Sequence, residues 1–318
     1  MEKPEVSVII SNSHPKGVLL PHIYSLLHQT ISKDRYEIFF PNYQHLSAEE
    51  SSMLVFFEET FPHFHLPHSE KGNRTKALNF AAEQAKGKWL LFTESHCLMP
   101  PELLEKYLQF LEKNTFLCVR GVYKVLPTDS LSAKAEGWLR HSSFPPECLD
   151  LHDSAIERKL FWKRGGFDET FLHIPEFVFG AKYYDEGGKI GSFSECIVWH
   201  KEEHLFNEYM KGVLENGREQ MKIFLREGVD LASKYFPNPV VRYYTFMKFF
   251  RLALLPAPFL LSSLGRLGFF LANLINAESV GFYFFRLAAK NTHRTGLLKG
   301  MVSCSSKKSD VMYATSSS

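Results

Sequence analysis

Apolar and polar positions alternate along the N-terminal part of the chain in the order strand, helix, strand, helix. Short apolar runs at Val6–Ile10 and Tyr36–Phe40 end in turn-forming residues, which is typical of buried parallel strands. The stretches Leu19–Gln29 and Ala48–Glu59, which follow these runs, have helical spacing. This alternation predicts a parallel sheet with helices packed on its faces.

The same pattern continues further along the chain. A helix predicted at Thr75–Ala85 stops at Gly87, and the apolar run Trp89–Phe92 follows as a buried strand. Further strands are predicted at Leu117–Val125 and Cys196–His200. The end of the run at Phe92 lies at the edge where open α/β sheets bind ligands. It delivers three polar side chains there: Glu94, Ser95 and His96.

Composition narrows the class of protein. A chain of 318 residues accommodates one large α/β domain with an appendage, or two domains. A formal net charge of +2 gives no global attraction to nucleic acid, and we predict no nucleic-acid partner. The 5 cysteines are scattered without a CxxC pair, so reduced thiols in a cytosolic setting are the simplest interpretation. The charged residues 1–5 precede a short β-type run, so we do not expect a secretory signal peptide.

The C-terminal third has a different composition. No Asp or Glu occurs between Leu231 and Ala277, where cations lie among many Phe and Leu residues. The apolar stretch Leu252–Ala277 is long enough to cross a bilayer, but two prolines and Arg266 interrupt it. A re-entrant or surface-lying helical hairpin is therefore favoured over a simple span, with a packed soluble subdomain as the alternative. Aromatic-rich segments flanked only by cations suit an anionic leaflet, so we predict membrane contact.

The loop after Phe92 has the residue types of a metal site. Glu94 and His96 flank Ser95, so one short loop could direct both side chains toward the same cation. A carboxylate with an imidazole suits Mn²⁺ or a similar ion. The alternative is structural: Glu94 caps the next helix and His96 is an ordinary polar loop residue.

The segment around this loop resembles the family-two-like glycosyltransferases. In that family a glycine-led helix, an Ala-x-Gly turn and an apolar strand precede an acidic Asp-x-Asp metal site. The matching residues here are Gly72, Lys76, Ala77, Asn79, Ala85, Gly87, Phe92, Glu94 and His96. Histidine replaces the second acid.

The run Phe92–Cys97 is still more similar to the Asp-Ser-His-Cys motif of polypeptide N-acetylgalactosaminyltransferases. In that family a distant Val-x-His at a strand end completes the metal site, and Val198-Trp199-His200 matches it. The resemblance implies that Glu94, His96 and His200 bind Mn²⁺ or Mg²⁺. Such an ion would stabilise the departing diphosphate of a nucleotide-sugar donor as a Lewis acid. A strand-end histidine bonded to backbone is the alternative for His200.

A second match lies at the run Gly165–Glu169, with the sequence Gly-Gly-Phe-Asp-Glu. Family-two-like enzymes carry Glu-Asp seven residues later, and one of these carboxylates faces the acceptor hydroxyl as general base. Glu176 stands at the first position, and Phe177 replaces the second acid. Glu176 is therefore the candidate catalytic base, with an exposed loop glutamate as the alternative. In a retaining reaction Glu176 would instead position the sugar or acceptor.

Other polar residues are candidates for contacts with the donor. Amides can bond a base edge or ribose, and cations can meet a phosphate. The alternative is that each of these is a solvated loop or helix residue, and that Arg218 is a salt-bridged surface arginine. The set is Asn12, Asn42, Arg74, Lys76, Asn79, Ser95 and Arg218.

Together, the pattern and the resemblance predict an α/β protein with a GT-A-type nucleotide-diphospho-sugar transferase domain at residues 1–235. This domain would have a mostly parallel central sheet flanked by helices. A helical, membrane-associating region would occupy 236–300, beyond a boundary near Pro237–Pro239, and a disordered tail 301–318. The enzyme would transfer a sugar to a hydroxyl of a glycan, lipid or other acceptor. We expect it in the cytoplasm, peripheral or monotopic on the inner face of the plasma membrane.

Two other functions remain open. A catalytically silent relative that binds or scaffolds at the membrane is suggested by Asn42 and Phe177, which stand where the family has acids. A nucleotidyltransferase on a similar sheet ranks last, because such an enzyme needs a glycine-rich phosphate loop and only Gly17 follows the first strand.

Overall fold

The computed structural model describes most of the chain as two compact units. One unit comprises the described residues within 1–127 and 145–201, and the other those within 128–144 and 202–318. The predicted boundary near Pro237–Pro239 lies outside the described residues. The described ranges are 3–12, 19–41, 46–67, 73–127, 130–135, 149–201, 206–227, 256–275 and 277–314.

The N-terminal unit is an α/β structure. Its strands are β1 (Val6–Ser11), β2 (Tyr36–Phe39), β3 (Phe64–His65), β4 (Trp89–Glu94), β5 (Cys97–Leu98), β6 (Cys118–Val125), β7 (Ser154–Glu157) and β8 (Ile190–His200). Its helices are α1 (Leu19–Leu27), α2 (Ala48–Thr60), α3 (Arg74–Gln84), α4 (Leu103–Lys113), α5 (Arg158–Lys163) and α6 (Pro175–Asp185).

The strands form one sheet in the order β3-β2-β1-β4-β7-β6-β8-β5. β1 pairs in parallel with β2 and β4, β2 with β3, and β6 with β8. β7 is antiparallel to β4 and β6, and β5 is antiparallel to β8. The predicted α/β class with a mostly parallel, helix-flanked sheet is therefore confirmed, although the short strand β7 was not predicted.

Strand register brings four strand ends together at one edge. β1 pairs Ser11 with Glu94, the last residue of β4. Ser154 of β7 pairs with Phe92 of β4 in antiparallel register. If the same register is continued by two residues, residue 152 lies opposite residue 94. At the other side of β6, β8 pairs His200 with Cys97 and with Val125. The ends of β1, β4, β7 and β8 thus supply the polar residues of one site.

An aromatic core lies behind this edge. Phe92 of β4 packs against Phe161 of α5 and Phe167, with ring centroids 5.6 and 4.8 Å away. Phe179 of α6 completes the cluster, and all four rings are buried. Burial of each phenyl ring contributes about 1.5–3 kcal/mol. The cluster fixes α6, and with it Glu176, against the end of β4.

The Gly-Gly-Phe-Asp-Glu run forms a turn that needs its glycines. Gly165 and Gly166 have φ angles of 81° and 74°, in the left-handed region that side chains disfavour. A Cβ atom on Gly166 would also lie 3.0 Å from Oδ1 of Asn79. The sequence signature therefore marks a backbone requirement between α5 and α6.

The C-terminal unit is helical over its described residues. It contains α7 (Phe206–Glu227), α8 (Pro256–Leu274) and α9 (Glu278–Ala314). α8 and α9 form an antiparallel hairpin, with Ser262 bonded to Thr292 at 2.6 Å and Gly265 against Ala288. α9 runs to Ala314, within the segment 301–318 for which the sequence predicts a disordered tail.

α8 carries a row of exposed apolar side chains. Ala257–Leu274 is long and apolar enough to cross a membrane by length and composition alone, and about a fifth of that window is buried. This feature is weak evidence for a membrane span, because core helices of soluble proteins share it. The large side chains on α8 that are more than half exposed are Phe259, Leu260, Leu264, Leu267, Phe270, Leu271 and Leu274.

The turn between α3 and β4 packs closely on β1 at Gly87. A Cβ atom there would lie 2.6 Å from the backbone nitrogen of Ser7 and 2.8 Å from the carbonyl carbon of Val6. We expect Gly87→Ala to lower the free energy of unfolding by about 1–3 kcal/mol, because the backbone of β1 must move. Urea unfolding measures this change.

Gly212 is the matched control, because it lies inside α7 and a Cβ atom there meets nothing within 4 Å. Gly212→Ala should raise the free energy of unfolding by about 0.5–1 kcal/mol, since alanine favours helix. Equal effects of the two substitutions would contradict the packing assigned to Gly87.

Candidate active site

One carboxylate lies at the centre of the polar edge. Glu94 ends β4, and its side chain is 12% exposed. Nε2 of His96 and Nε2 of His152 each lie 3.3 Å from Oε2 of Glu94, and Nε2 of His200 lies 3.5 Å from it. All three imidazoles are buried. Three ring nitrogens therefore converge on one carboxylate oxygen.

The other oxygen of Glu94 is held by Arg74 at the start of α3. An Nη atom of Arg74 donates to Oε1 of Glu94 at 2.9 Å, and its Nε donates to Oγ of Ser11 at 2.5 Å. Arg74 was predicted to meet a phosphate; in the structure its guanidinium bonds to Glu94 at the edge of the site, and the phosphate contact stays a prediction. Because the guanidinium links β1 to β4, it fixes the orientation of the carboxylate.

The electrostatics keep Glu94 ionised. Burial opposes ionisation and would raise the pKa of this carboxyl group. The charges of His152 and His96 outweigh burial, with smaller contributions from His200 and Arg74, and they hold the pKa of Glu94 well below its usual value. Glu94 therefore stays available as an anionic ligand.

The donor set fits a divalent cation. The ligand atoms of Glu94, His152 and His200 all lie within 4.8 Å of one another. Ligands about 2.1 Å from a tetrahedral ion lie about 3.4 Å apart, which matches the three N–O distances around Glu94. Carboxylate and imidazole are both good ligands for divalent transition metals.

His152 was missed by the sequence analysis. It precedes β7, and Nδ1 of its ring lies 3.2 Å from Oδ1 of Asp150. The ring also stacks on Tyr123 of β6, with centroids 4.3 Å apart. The available signal was the pair Asp150-x-His152, but its position opposite Glu94 depends on an antiparallel strand that the apolar pattern does not reveal.

Glu176 lies in the first turn of α6, close enough to the site for its charge to interact with Glu94, Asp150 and Arg74. Its Oε2 atom is buried, and no hydrogen bond to it occurs among the described residues. Burial is the main influence and raises the pKa of Glu176 to about 8; Arg74 lowers this pKa, while Glu94 and Asp150 raise it. Phe177, at the position of the family's second acid, is buried.

Asn79 and Lys76 of α3, two of the predicted donor residues, both contact the segment 167–169. The buried amide of Asn79 donates to the carbonyl of Phe167 at 2.8 Å and accepts from the amide of Phe167 at 2.9 Å. Nζ of Lys76 lies 4.0 Å from Oε2 of Glu169 on an exposed surface. These contacts give Asn79 a role in holding the double-glycine turn.

The remaining predicted donor residues fall into different places. Ser95 donates to Oδ1 of Asn12 at 3.3 Å beside Glu94, so both lie at the site edge. Arg218 is part of α7 in the C-terminal unit and donates to Glu215 at 2.5 Å. Asn42 lies outside the described residues.

Comparison with protein families identifies the chain. The profile of Glycosyl transferase family 2 matches residues 7–184, which is more than half of the chain. The chain belongs to glycosyl transferase family 2. The matched region includes β4 and the loop after it, His152 and Glu176, while His200 follows it.

Solved structures of glycosyltransferases share the fold of this family 2 chain. A mannosyltransferase from Pyrobaculum calidifontis in complex with GDP-Man and Mn²⁺ is similar at a TM-score of 0.62 and 16% identity, over 94% of this chain and 88% of the other. S. aureus TarS 1–349 in complex with UDP-GlcNAc is similar at a TM-score of 0.53 and 14% identity, over 92% of this chain and 90% of the other. No curated protein sequence matches the chain significantly. At these identities the likeness shows the GT-A fold alone.

The raised pKa of Glu176 predicts a pH-dependent stability. Between the ordinary value of 4.5 and about 8, the folded protein keeps a proton on Glu176 that the unfolded chain releases. Glu176 therefore lowers the free energy of unfolding as pH rises through this window. Glu176→Gln removes the effect, so the metal-free variant should gain stability relative to wild type from pH 4.5 to about 8.

Urea unfolding of the metal-free proteins at a series of pH values measures this difference. Glu83→Gln is the control, because Glu83 is an exposed glutamate of α3. A difference between Glu176→Gln and wild type that is constant across the window would contradict the burial of this carboxyl group.

Proposed function

We propose that this family 2 chain transfers a sugar from a nucleotide-diphosphate donor to an acceptor hydroxyl, with a divalent cation held at Glu94. The observation that carries the proposal is the convergence of His96, His152 and His200 on one ionised carboxylate at the ligand-binding edge of the sheet. Family membership supports glycosyl transfer. The complexes of similar folds with GDP-Man, Mn²⁺ and UDP-GlcNAc support a nucleotide-sugar donor.

The residues of the site have different roles in the proposed reaction. A bound divalent ion supplies Lewis acidity toward the diphosphate leaving group. Glu94 and the histidines hold that ion, and Arg74 fixes the carboxylate through Oε1. Asn12 and Ser95, bonded to each other beside Glu94, are donor contacts in this proposal.

Glu176 is the proposed acceptor-side residue. Its buried carboxyl group lies within electrostatic range of Glu94 and Arg74. With a pKa of about 8 it is poised near neutral pH, which suits a group that takes up and releases a proton. In an inverting reaction it is the general base, and in a retaining reaction it positions the acceptor or the sugar.

A catalytically silent, ligand-binding relative is the second candidate. Phe177 packs in the core where the family has an acid, so Glu176 has no neighbouring carboxylate on its segment to replace it. Nucleotide binding without transfer would favour this candidate. Contact with a membrane, a cytoplasmic location and the nature of the acceptor stay predictions from the sequence.

Ligand-dependent thermal stabilisation tests the donor and metal site. Metal-free protein is titrated with GDP, UDP and ADP, each with and without Mn²⁺. One of the nucleotides should raise the unfolding temperature only when Mn²⁺ is present, because a cation held at Glu94 would offset the negative charge of the diphosphate. At a nucleotide concentration 100 times Kd, binding should raise the free energy of unfolding by about 2.7 kcal/mol.

The variant His96→Ala should lose this metal-dependent gain. His28→Ala is the matched control, since His28 is an exposed histidine just after α1 whose Nδ1 contacts the carbonyl oxygen of Tyr24. A gain that persists in His96→Ala would contradict the metal site, and wild type that responds to no nucleotide would contradict the proposed function.

A further inference from the structure

A third histidine distinguishes this site from the set implied by resemblance, which contains Glu94, His96 and His200. In the structure the compact group of potential ligands is Glu94, His152 and His200, with His96 against the same carboxylate oxygen. We propose that His152 is a metal ligand, so that one carboxylate and three imidazoles select a transition metal over Mg²⁺. This inference rests on the metal site of the proposed function.

The fold holds His152 in place. The antiparallel register of β7 with β4 runs on past Phe92 and Ser154 to bring residue 152 opposite Glu94. Oγ1 of Thr93 donates to the carbonyl oxygen of His152 at 3.2 Å, which ties the loop to the end of β4. His152 is only 4% exposed. Its place beside Glu94 is therefore a consequence of strand pairing.

Asp150 and Tyr123 orient the imidazole. Oδ1 of Asp150 accepts the backbone amide of His152 at 3.0 Å and lies 3.2 Å from Nδ1 of its ring. With Nδ1 at Asp150, Nε2 faces Glu94. Metal-bound histidines commonly donate their other ring nitrogen to a carboxylate in this way, which fixes the tautomer. The ring of Tyr123 stacks on the imidazole at an interplanar angle of 17° and limits its rotation.

The types of ligand atom at the site decide which metal ions bind well. Mg²⁺ prefers oxygen ligands in a nearly octahedral shell and keeps several waters. Imidazole nitrogens instead suit Zn²⁺, Co²⁺ and similar transition metals, and Mn²⁺ accepts a mixture of nitrogen and oxygen ligands. Three imidazoles with one carboxylate therefore disfavour Mg²⁺. Of the two ions predicted from the sequence, Mn²⁺ and Mg²⁺, we therefore expect Mn²⁺ to bind.

The competing explanation is that His152 is a structural residue that bridges the carboxylates of Asp150 and Glu94. In that case the metal has two imidazole ligands. The two explanations differ in the number of imidazoles bound to the ion, which X-ray absorption spectroscopy counts without any activity measurement.

The experiment uses the full chain loaded with Co²⁺. X-ray absorption should give three imidazoles in wild type and two in His152→Gln. Competition with a chromogenic chelator should show that His152→Gln weakens Co²⁺ binding by about tenfold or more. Mg²⁺ in large excess should fail to displace Co²⁺ from wild type. His63→Gln is the control, because His63 packs against Tyr36 and Phe61 in the same unit.

Two imidazoles in wild type would overturn the proposal even if His152→Gln does not fold. Unchanged Co²⁺ affinity in a folded His152→Gln, or ready displacement by Mg²⁺, would overturn it as well. Titration of the same wild-type sample with GDP and UDP separates this inference from the proposed function. Nucleotide binding with an imidazole count that His152→Gln does not lower overturns only the role of His152, whereas three imidazoles without nucleotide binding overturn only the transferase.

Discussion

The ionised carboxylate of Glu94, buried at the end of β4, is the constraint on which the site depends. Removing a charge from water costs several kcal/mol unless partners compensate. Here an arginine holds one oxygen and imidazole nitrogens surround the other. His96 follows Glu94 on the same loop. Arg74, His152 and His200 come from the start of α3, the segment before β7 and the end of β8. The arrangement therefore exists only when the sheet is fully assembled.

The surrounding fold serves this constraint. Buried rings of Phe92, Phe161, Phe167 and Phe179 fix α5 and α6 behind β4. The amide of Asn79 clamps the double-glycine turn from the side of α3, so the helix that carries Arg74 also positions the segment leading to Glu176. The family motifs at these positions thus also meet backbone and packing requirements of the fold.

The sequence revealed the features that depend on local pattern. Buried strands such as Val6–Ser11 are apolar runs between turn residues, and Glu94, Ser95 and His96 share one short loop. His152 escaped detection because it lies before a strand of four residues, Ser154–Glu157, inserted antiparallel between distant strands. The contacts of Asn79 with Phe167 were equally hidden, since they join residues 88 positions apart. Non-local pairing, which periodicity does not encode, accounts for both omissions.

We infer that Glu94 and the surrounding histidines bind a cation that also contacts the donor diphosphate. Anomalous diffraction from crystals grown with Mn²⁺ and the nucleotide diphosphate that stabilises the protein tests it directly. We expect an anomalous peak at bonding distance from Glu94 and at least two of the histidines, next to the bound diphosphate. A peak elsewhere, or a diphosphate bound without any metal at Glu94, would contradict it.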